Sequence, residues 1–384
     1  MTEQNIYNLT KEQSEFKQYV KETAEKYLLP KAAEHDKNGE FPYENIKVLK
    51  EHGLMGIPFP TEYGGGGRSY LEYILAMEEI SRCCAATGII LSVHTSVSCS
   101  TIYNLATAEQ KQKYLPPLLK GDSIGAFALT EPNAGSDAAN LQTIAKPEGD
   151  KYILNGNKVF ITSGGVADTY VIFATLDPAL KTRGITAFIV EKGYEGFSFG
   201  RIEEKMGIRA SVTRELIFKD CPVPKENLIG KENEGFKIAM QALDHGRIGI
   251  AAQAVGIAQA CLELALKYSK ERVQFGKPIS ALQAIQFMLA DMATEIDAAR
   301  LLTYKAAAVK DSGTGRFSLP ASQAKLYASE TASRCASKCV QILGGYGYTK
   351  AYPAERYFRD AKITEIYEGT SEIQRLVIAA NLLK

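Results

Sequence analysis

The stretch Tyr152-Ile153-Leu154-Asn155-Gly156-Asn157-Lys158-Val159-Phe160-Ile161-Thr162 decides the fold that this sequence predicts. Two short runs of β-branched and aromatic residues flank Asn155-Gly156-Asn157, a turn signal, so we predict a hairpin here. Further runs of the same character follow at 170–173, 185–190 and 215–218, separated by glycine, proline or charged residues. These runs predict a central antiparallel β domain, either a barrel or a sandwich.

Helical patterns lie on both sides of the strand-rich region. Between residues 11 and 119 apolar residues recur at helical spacing, as in Phe16, Val20, Ala24 and Leu28. Beyond Pro224 the helical period returns and persists. The long helices predicted there cover about 234–270, 280–311, 319–343 and 353–382.

Together these patterns predict an α+β multidomain protein in the order helices, strands, helices. The predicted parts are an N-terminal α-helical domain (1–120), a middle β-barrel or sandwich domain (121–230) and a C-terminal four-helix bundle (231–384).

Composition narrows the function classes. The chain has 384 residues, of which 45% are hydrophobic and 23% charged, as in ordinary soluble globular proteins. Its 45 Lys and Arg against 44 Asp and Glu leave a formal charge of +1, which argues against nucleic-acid or anionic-membrane partners. The cysteines are seven, an odd number, and no C-x-x-C pair occurs, so we predict neither a disulfide framework nor a metal site.

The sequence also bears on location. The N-terminal stretch Met1-Thr2-Glu3-Gln4-Asn5 has no apolar leader character, and no uninterrupted apolar stretch reaches the length that spans a bilayer. We therefore expect a cytoplasmic protein without membrane insertion.

The run Ile366-Tyr367-Glu368-Gly369-Thr370-Ser371-Glu372 contains a candidate base. A carboxylate that faces a pocket loses hydration, which raises its pKa towards the range useful for proton abstraction. By itself, a Tyr-Glu-Gly sequence is more often a solvated glutamate near a helix end.

A second candidate region, residues 127–137, is rich in turns and hydroxyl groups where the first helices give way to strands. Thr130 and Ser136 can donate hydrogen bonds to a ring carbonyl or a phosphate, and so can backbone N–H groups around Gly135. Such junctions commonly form ligand clefts, although a polar interdomain loop is the alternative.

The order of these motifs resembles that of the acyl-CoA dehydrogenase family, over essentially the whole chain. The motifs that carry the resemblance are Ala-Leu-Thr-Glu-Pro-x-x-Gly-Ser-Asp at 128–137, Phe-Ile-Thr-Ser-Gly-Gly at 160–165, Arg-Val-Gln-Phe-Gly-Lys-Pro-Ile at 272–279, Gln-Ile-Leu-Gly-Gly-Tyr-Gly-Tyr at 341–348 and Tyr-Glu-Gly-Thr at 367–370. Leu-Asp-His-Gly-Arg-Ile-Gly at 243–249 and the chain length make it most similar to short-chain (butyryl-CoA) dehydrogenases of bacteria.

The resemblance implies a flavoprotein oxidoreductase with FAD between the β domain and the C-terminal bundle. Residues expected at the isoalloxazine are Phe127, Leu129, Thr130, Phe160 and Thr162, with Ser136 bonding FAD or the CoA moiety and Thr370 also at the cofactor. Residues expected at the pyrophosphate and adenine, from a neighbouring subunit, are Arg272, Phe275, Gln283, Gln341, Gly344 and Gly345. Outside this context, Arg272 would be read as a surface charge.

The resemblance also implies the chemistry. Glu368 would remove the α-proton of an acyl-CoA thioester while hydride leaves the β-carbon, which yields a trans-2-enoyl-CoA. The Glu368 backbone N–H and a flavin ribityl hydroxyl would stabilise the developing enolate. Residues expected at the substrate are Ser136, Asp244, Arg247, Tyr367 and Gly369.

The partners implied are an acyl-CoA thioester, an electron-transferring flavoprotein and three further copies of the chain in a homotetramer, within fatty acid metabolism. Phe160 stands where many relatives carry Trp. Phenylalanine at this position resembles the anaerobic bacterial butyryl-CoA dehydrogenases, some of which take part in electron bifurcation. The enzyme could thus run in reverse as a crotonyl-CoA reductase. Ala351 replaces a usual acidic residue, to which we assign no role.

Three alternatives remain open at this stage. The substrate could be a branched, aromatic or dicarboxylic acyl-CoA, since pocket depth depends on side chains between about Met77 and Ser100. An oxidase that uses oxygen would share the fold. A non-catalytic, nucleic-acid-binding flavoprotein would share the scaffold, but a basic C-terminal extension and loss of the base would be expected of it.

Overall fold

The computed structural model describes residues 7–384, so the stretch Met1-Thr2-Glu3-Gln4-Asn5 lies outside the described residues. Three of the N-terminal helices begin with a capping box, at Thr10, Ser69 and Thr107. In each box the hydroxyl accepts a hydrogen bond from the backbone N–H three residues later, and the Gln or Glu side chain at that later position accepts one from the backbone N–H of the capping residue. The N-terminal helices are α1 (Lys11–Thr23), α2 (Ala32–Asn38), α3 (Tyr43–Glu51), α4 (Tyr70–Cys83), α5 (Ala85–Ser92), α6 (Ser100–Leu105) and α7 (Ala108–Leu119). A π-helical segment, Val93–Cys99, joins α5 to α6.

The central strands form one sheet that is mostly antiparallel, in the order β6-β7-β3-β2-β4-β5-β8, with β1 pairing in parallel with β4. The strands are β1 (Gly125–Ala128), β2 (Ile144–Glu148), β3 (Lys151–Thr162), β4 (Thr169–Thr175), β5 (Ile185–Glu191), β6 (Phe197–Ile202), β7 (Thr213–Pro224) and β8 (Leu228–Ile229). The pairings of β1 and of β2 with β4 are parallel and depart from the predicted antiparallel pattern.

The predicted hairpin turn at Asn155-Gly156-Asn157 is wrong. Strand β3 runs unbroken through it, and the ladder with β7 is irregular between Leu154 and Gly156. Gly156 has φ of +143°, and a Cβ there would lie 2.7 Å from the Thr143 Cα on the neighbouring chain segment. The glycine thus permits a close approach of two backbones within a strand instead of reversing the chain.

The C-terminal part is a bundle built on three long helices. Its helices are α8 (Gly235–Glu271), α9 (Gln283–Asp311), α10 (Ser318–Leu343), α11 (Ala354–Ile363) and α12 (Ser371–Leu382), and a short β9–β10 ribbon (Val273–Gln274, Lys277–Pro278) precedes α9. The single helix predicted over 353–382 is wrong, because the chain is broken between α11 and α12. Glu368 and Gly369 adopt left-handed backbone angles, φ +56° and +94°, which no helix can contain.

The predicted fold class is confirmed: helical N- and C-terminal parts flank a central, mostly antiparallel sheet. The limits at 120 and 230 remain our proposal for the domain boundaries. Two helical stretches, Ala85–Leu105 and Gly235–Glu271, are by length and composition apolar enough to cross a membrane, contrary to the sequence-based expectation. Their most apolar windows are 100% and 83% buried inside the protein, which is typical of core helices.

Candidate active site

A cavity of about 410 Å³ opens between the sheet and the C-terminal helices. It brings together ten of the residues singled out from the sequence: Phe127, Leu129, Thr130, Ser136, Phe160, Thr162, Arg247, Tyr367, Glu368 and Gly369. The remaining lining includes apolar side chains of the π-helical region, of α8 and of α12. A carboxylate and an arginine therefore face an aromatic and hydroxyl-bearing wall across a largely apolar space.

Glu368 lies in the turn between α11 and α12, and hydrogen bonds hold this turn from both sides. The Gly369 carbonyl accepts hydrogen bonds from Lys325 Nζ at 2.7 Å and from Gln374 Nε2 at 2.9 Å. The Tyr367 hydroxyl donates to Gln253 Oε1 on α8. Thr370 caps α12 by accepting from the Ile373 N–H at 3.3 Å. The left-handed turn is thus held by α8, α10 and α12 together.

The Glu368 carboxylate itself has little to bind in the protein. Its Oε2 atom is shielded from solvent and has no hydrogen-bond partner among residues 7–384. Burial raises the pKa of Glu368 to about 7, although the positive charges of Lys325 and Arg247 act in the opposite direction. A carboxylate in this state is suited to take a proton near neutral pH.

Gly246 on α8 makes room for this carboxylate. A Cβ at position 246 would lie 1.6 Å from Glu368 Oε2 and 2.5 Å from its Cδ. Any side chain there would therefore displace the carboxylate from its position in the cavity.

Arg247, the next residue on α8, brings a buried positive charge to the same cavity. Its Nη1 donates to Asp244 Oδ1 at 2.6 Å, and its Nε has no partner in the described part of the chain. Burial lowers the pKa of Arg247 and raises that of Asp244. Ser318 donates to the other Asp244 oxygen. The pair positions a guanidinium N–H that remains available to a ligand.

The opposite wall is held by a second buried ion pair. Lys158 on β3 donates to Glu131 Oε1 at 2.7 Å and to the Leu129 carbonyl at 3.2 Å. Glu131 also accepts the Thr143 N–H at 3.0 Å. The loop after β1, which carries Leu129 and Thr130, is therefore fastened to β3.

Phe160 projects from an irregularity in the sheet. The ladder between β3 and β7 loses register between Lys158 and Ile161, and Phe160 has φ of +59°. Its ring is 62% exposed although it lines the cavity. Such bulges re-aim a side chain out of the sheet, here towards the cavity that Glu368 also lines.

Comparison with known proteins identifies this architecture. Three family models match the chain in order: the acyl-CoA dehydrogenase N-terminal domain over residues 10–122, the middle domain over 126–221 and the C-terminal domain over 233–383. The chain belongs to the acyl-CoA dehydrogenase family.

Individual relatives of this acyl-CoA dehydrogenase are similar over nearly their whole length. A protein of Clostridium acetobutylicum named "Acyl-CoA dehydrogenase, short-chain specific" is 55% identical over 98% of this chain and 100% of its own. Butyryl-CoA dehydrogenase from Megasphaera elsdenii superposes with a TM-score of 0.96 at 50% identity, covering 98% of this chain and 99% of that one.

A third relative points to an electron-transfer context. A chain from a structure described as "Electron transferring flavoprotein of Acidaminococcus fermentans: Towards a mechanism of flavin-based electron bifurcation" is 55% identical, with a TM-score of 0.96, and covers 98% of this chain and 99% of that one.

The remaining predicted site residues of this acyl-CoA dehydrogenase lie elsewhere. Arg272, Phe275, Gly344 and Gly345 line a different cavity of about 530 Å³ beside the β9–β10 ribbon. Gln283 at the start of α9 and Gln341 near the end of α10 are exposed. The single chain does not bring these six residues to Glu368, and their cofactor role remains a prediction that requires a neighbouring subunit.

Asp244 lines a third cavity of about 620 Å³, which adjoins the first through Met240. Its wall carries three cationic side chains, Lys237, Lys310 and Arg316. Thr370, the helix cap of α12, follows the lining residue Gly369 directly and is itself outside the lining.

The donor set of the first cavity fits the FAD that the family implies. Phe127, Leu129 and Phe160 supply apolar and aromatic contact, and Thr130 and Thr162 supply hydroxyl groups at the same wall. This combination suits a planar ring system whose edge atoms accept hydrogen bonds. The unpartnered Glu368 oxygen lies on the facing side, where a second molecule can be placed against that ring.

Sequence reasoning missed two residues that hold this site, Lys325 and Gln374. Both are fully buried, and both donate to the Gly369 carbonyl. A signal for Lys325 exists: it lies among Ala321, Ala324 and Ala328, on the face of α10 that helical spacing assigns to the core. A lysine on such a face requires a partner, and this could have been inferred.

Proposed function

We propose that this protein catalyses the FAD-dependent α,β-dehydrogenation of a short-chain acyl-CoA, similar to butyryl-CoA, to the trans-2-enoyl-CoA. The observation that carries the proposal is the Glu368 carboxylate, which lines the cavity with an unpartnered oxygen and has a pKa raised by burial to about 7. Side chains alone offer no redox chemistry, and FAD supplies the two-electron oxidation when bound.

In this proposal Glu368 accepts the proton from the α-carbon of the thioester. The Glu368 backbone N–H has no backbone partner within residues 7–384, so it remains free to donate to the thioester oxygen. A donor directed at that oxygen stabilises the enolate charge as it develops. Gly369 adds no side chain that would obstruct the thioester, and Tyr367 is held aside by Gln253.

The flavin would contact Phe127, Leu129, Thr130, Phe160 and Thr162 on the sheet side, with Ser136 at its edge or at the CoA moiety. Thr370 is proposed at the cofactor as well. We retain Arg272, Phe275, Gln283, Gln341, Gly344 and Gly345 as the contribution of a neighbouring subunit to the pyrophosphate and adenine. Arginine carries a permanent charge that suits a diphosphate.

The CoA moiety would extend into the third cavity. Asp244 lies there, and Lys237, Lys310 and Arg316 offer positive charge to its phosphates. Arg247 links the two cavities through its ion pair with Asp244 and offers its free Nε–H to the substrate.

The acyl end of the cavity supports a short chain. Ile89, Val93 and Val97 lie four residues apart along the α5 and π-helical segment and all line the cavity. β-branched side chains are stiff, because few χ1 rotamers are open to them within a helix. They therefore form a wall that yields little to a longer or branched acyl group.

Partners follow from the relatives. Because a short-chain specific dehydrogenase and a chain described with an electron transferring flavoprotein are both 55% identical to this chain, we propose an electron-transferring flavoprotein as its redox partner. We further propose a homotetramer in the cytoplasm, and a reaction that can also run towards the saturated acyl-CoA, as in a crotonyl-CoA reductase.

The deciding experiment is the anaerobic addition of butyryl-CoA to the purified yellow protein while flavin absorbance is recorded. Bleaching is expected for the wild type, and Glu368→Gln should slow it by about 10²–10⁴-fold because a carboxamide cannot accept the proton. Glu372→Gln, which changes an exposed glutamate four residues away, is the matched control and should bleach normally.

A panel of longer, branched, aromatic and dicarboxylic acyl-CoAs completes the test. Bleaching by one of these and not by butyryl-CoA would keep the reaction and overturn the short-chain substrate. Absence of bound flavin, or no bleaching with any thioester, would overturn the proposed function. Rapid reoxidation of the reduced, product-bound flavin by air would instead indicate an oxidase.

A further inference from the structure

Lys325 is a fully buried lysine whose ammonium group reaches the turn that carries Glu368. It lies on α10 with its side chain enclosed, and its Nζ donates to the Gly369 carbonyl at 2.7 Å. A buried ammonium group is costly unless charges and acceptors compensate it. Burial lowers the pKa of Lys325 to about 7, against the raising effect of the Glu368 charge.

The carbonyl that Lys325 binds lies at a strained turn of the site. Glu368, a non-glycine residue, has φ of +56°, and Gly369 follows with φ of +94°. A left-handed non-glycine residue is strained and persists only where neighbouring groups over-determine it. Lys325 and Gln374 supply this restraint, since both donate to the one carbonyl that directly follows Glu368.

Several elements bring charged or ionisable side chains towards the Glu368 carboxylate. Arg247, paired with Asp244, approaches from α8, and Lys325 approaches from α10. The negative charges of Glu365 and Glu372, on either side of Glu368 in the sequence, act to raise the pKa of Lys325. The positive charge of Arg316 acts to lower the pKa of Asp244. The phenols of Tyr70 and Tyr73 on α4, and that of Tyr367, also face the carboxylate but remain neutral, because burial raises their pKa values.

Within this set Arg247 is already neutralised by Asp244 at 2.6 Å, whereas Lys325 has no carboxylate within ion-pair distance in the described part of the chain. Lys325 is therefore the positive charge that balances an ionised Glu368.

We propose that Lys325 is a positioning residue for the general base: its ammonium group holds the Gly369 carbonyl, which fixes the turn that aims Glu368 into the cavity, and its charge keeps the Glu368 carboxylate ionised. This inference rests on the proposed function for the identity of the base. The two effects are separable, because one is exerted through a hydrogen bond and the other through charge.

The test compares Lys325→Met, which removes donor and charge, with Lys325→Arg, which keeps both. Lys338→Met is the matched control, since Lys338 lies on the same helix and pairs with Asp291 and Glu295 at its outer face. The first measurement needs no substrate: the ionisation midpoint of Glu368 in the flavin-loaded protein, followed as the carboxyl C=O band in infrared difference spectra and assigned by its loss in Glu368→Gln.

Lys325→Met is expected to raise this midpoint by about one pH unit or more, because the ionised form loses its counter-charge. Lys325→Arg and Lys338→Met should keep the wild-type midpoint. An unchanged midpoint in Lys325→Met would overturn the charge role. If Lys325→Met does not fold, Lys325→Gln, a polar and uncharged replacement, is measured instead with the same criterion.

The second measurement is the pH profile of flavin bleaching by butyryl-CoA. With a wild-type midpoint of about 7, a rise of one pH unit lowers the ionised fraction of the base at pH 7 from about one half to about one eleventh, so Lys325→Met should bleach more slowly at that pH by about fivefold or more. It should also stay slower above its shifted midpoint, because the turn is no longer held; full recovery there would overturn the positioning role. If no acyl-CoA bleaches the flavin of the wild-type protein, the proposed function is refuted. The infrared result then decides on the role of Lys325 by itself.

Discussion

Glu78, which is fully buried, and Glu368, which is half-buried, each lie near a lysine and an arginine, yet their pKa values move in opposite directions. Glu78 on α4 accepts hydrogen bonds from Arg300 Nε at 2.9 Å and from the Tyr304 hydroxyl at 2.7 Å, with Lys17 Nζ at 3.7 Å. Burial alone would raise its pKa, but Arg300 and Lys17 outweigh burial and lower it. Glu368 has Lys325 and Arg247 nearby, and its pKa rises to about 7.

The difference lies in direct contact between the carboxylate and its partners. Both oxygens of Glu78 are bound by protein donors, whereas Glu368 Oε2 has no partner within residues 7–384, and Lys325 donates to a carbonyl instead of to the carboxylate. At Glu78 the charges of Arg300 at 2.9 Å and Lys17 at 3.7 Å lower the pKa most, and the hydrogen bonds add to this effect. At Glu368 the charges of Lys325 and Arg247 offset only part of the cost of burial. The cluster around Glu78 joins α1, α4 and α9, whereas the groups around Glu368 leave its carboxylate available for chemistry.

The largest effect should come from breaking the satisfied cluster. Glu78→Gln removes the buried charge partner of Arg300 and leaves this arginine with Asp297, whose side chain is 60% exposed, so the free energy of unfolding should fall by about 3–5 kcal/mol. Urea unfolding of the flavin-loaded protein measures this change. Glu263→Gln, which removes the 44% exposed partner of Arg82 in the same region, should cost under about 1 kcal/mol. Equal losses in the two variants would show that burial does not set the strength of these pairs.

The next effect concerns the space around the unsatisfied carboxylate. Gly246→Ala places a methyl group where Glu368 Oε2 lies, so bleaching by butyryl-CoA should slow by about 100-fold through misplacement of the base. The double variant Gly246→Ala with Glu368→Asp should lose less than the sum of the two single losses, because the shorter acid withdraws from the collision. Strictly additive losses would refute the steric explanation.

The last effect is a difference in how stability depends on pH. Since burial raises the pKa of Glu368 to about 7 from an ordinary 4.5, the folded state holds a proton that the unfolded chain releases. Its contribution to stability is complete below pH 4.5 and is lost as pH rises through about 7. Glu368→Gln should therefore become more stable relative to the wild type between pH 5 and pH 8, as urea midpoints would reveal; a constant difference would mean that Glu368 titrates normally.

Much of this architecture could be predicted from the sequence. Periodicity predicts helices, strands and helices in order because side-chain spacing reports directly which face of an element is buried. The motifs at 128–137 and 367–370 place Thr130 and Glu368 at chain turns, where backbone and side chains can face a ligand. In the structure both turns line one cavity.

Other features could not be predicted from local pattern. Asn155-Gly156-Asn157 has turn chemistry but lies within β3, since pairing with β7 and close approach to Thr143 override the local preference. Residues 353–382 have helical periodicity but break at Glu368, because the hydrogen bonds that hold the break come from Lys325 and Gln374.

The sequence by itself determined the order of the domains, the family and the identity of the candidate base, since each depends on residue types at short spacing. Only the tertiary structure decided that Glu368 has an unpartnered oxygen, that Gly246 makes room for it and that Lys325 reaches the Gly369 carbonyl. These contacts join residues more than 40 positions apart, as from Lys325 to Gly369. The pKa of a buried group depends on such through-space neighbours and on the exclusion of water, neither of which local sequence specifies.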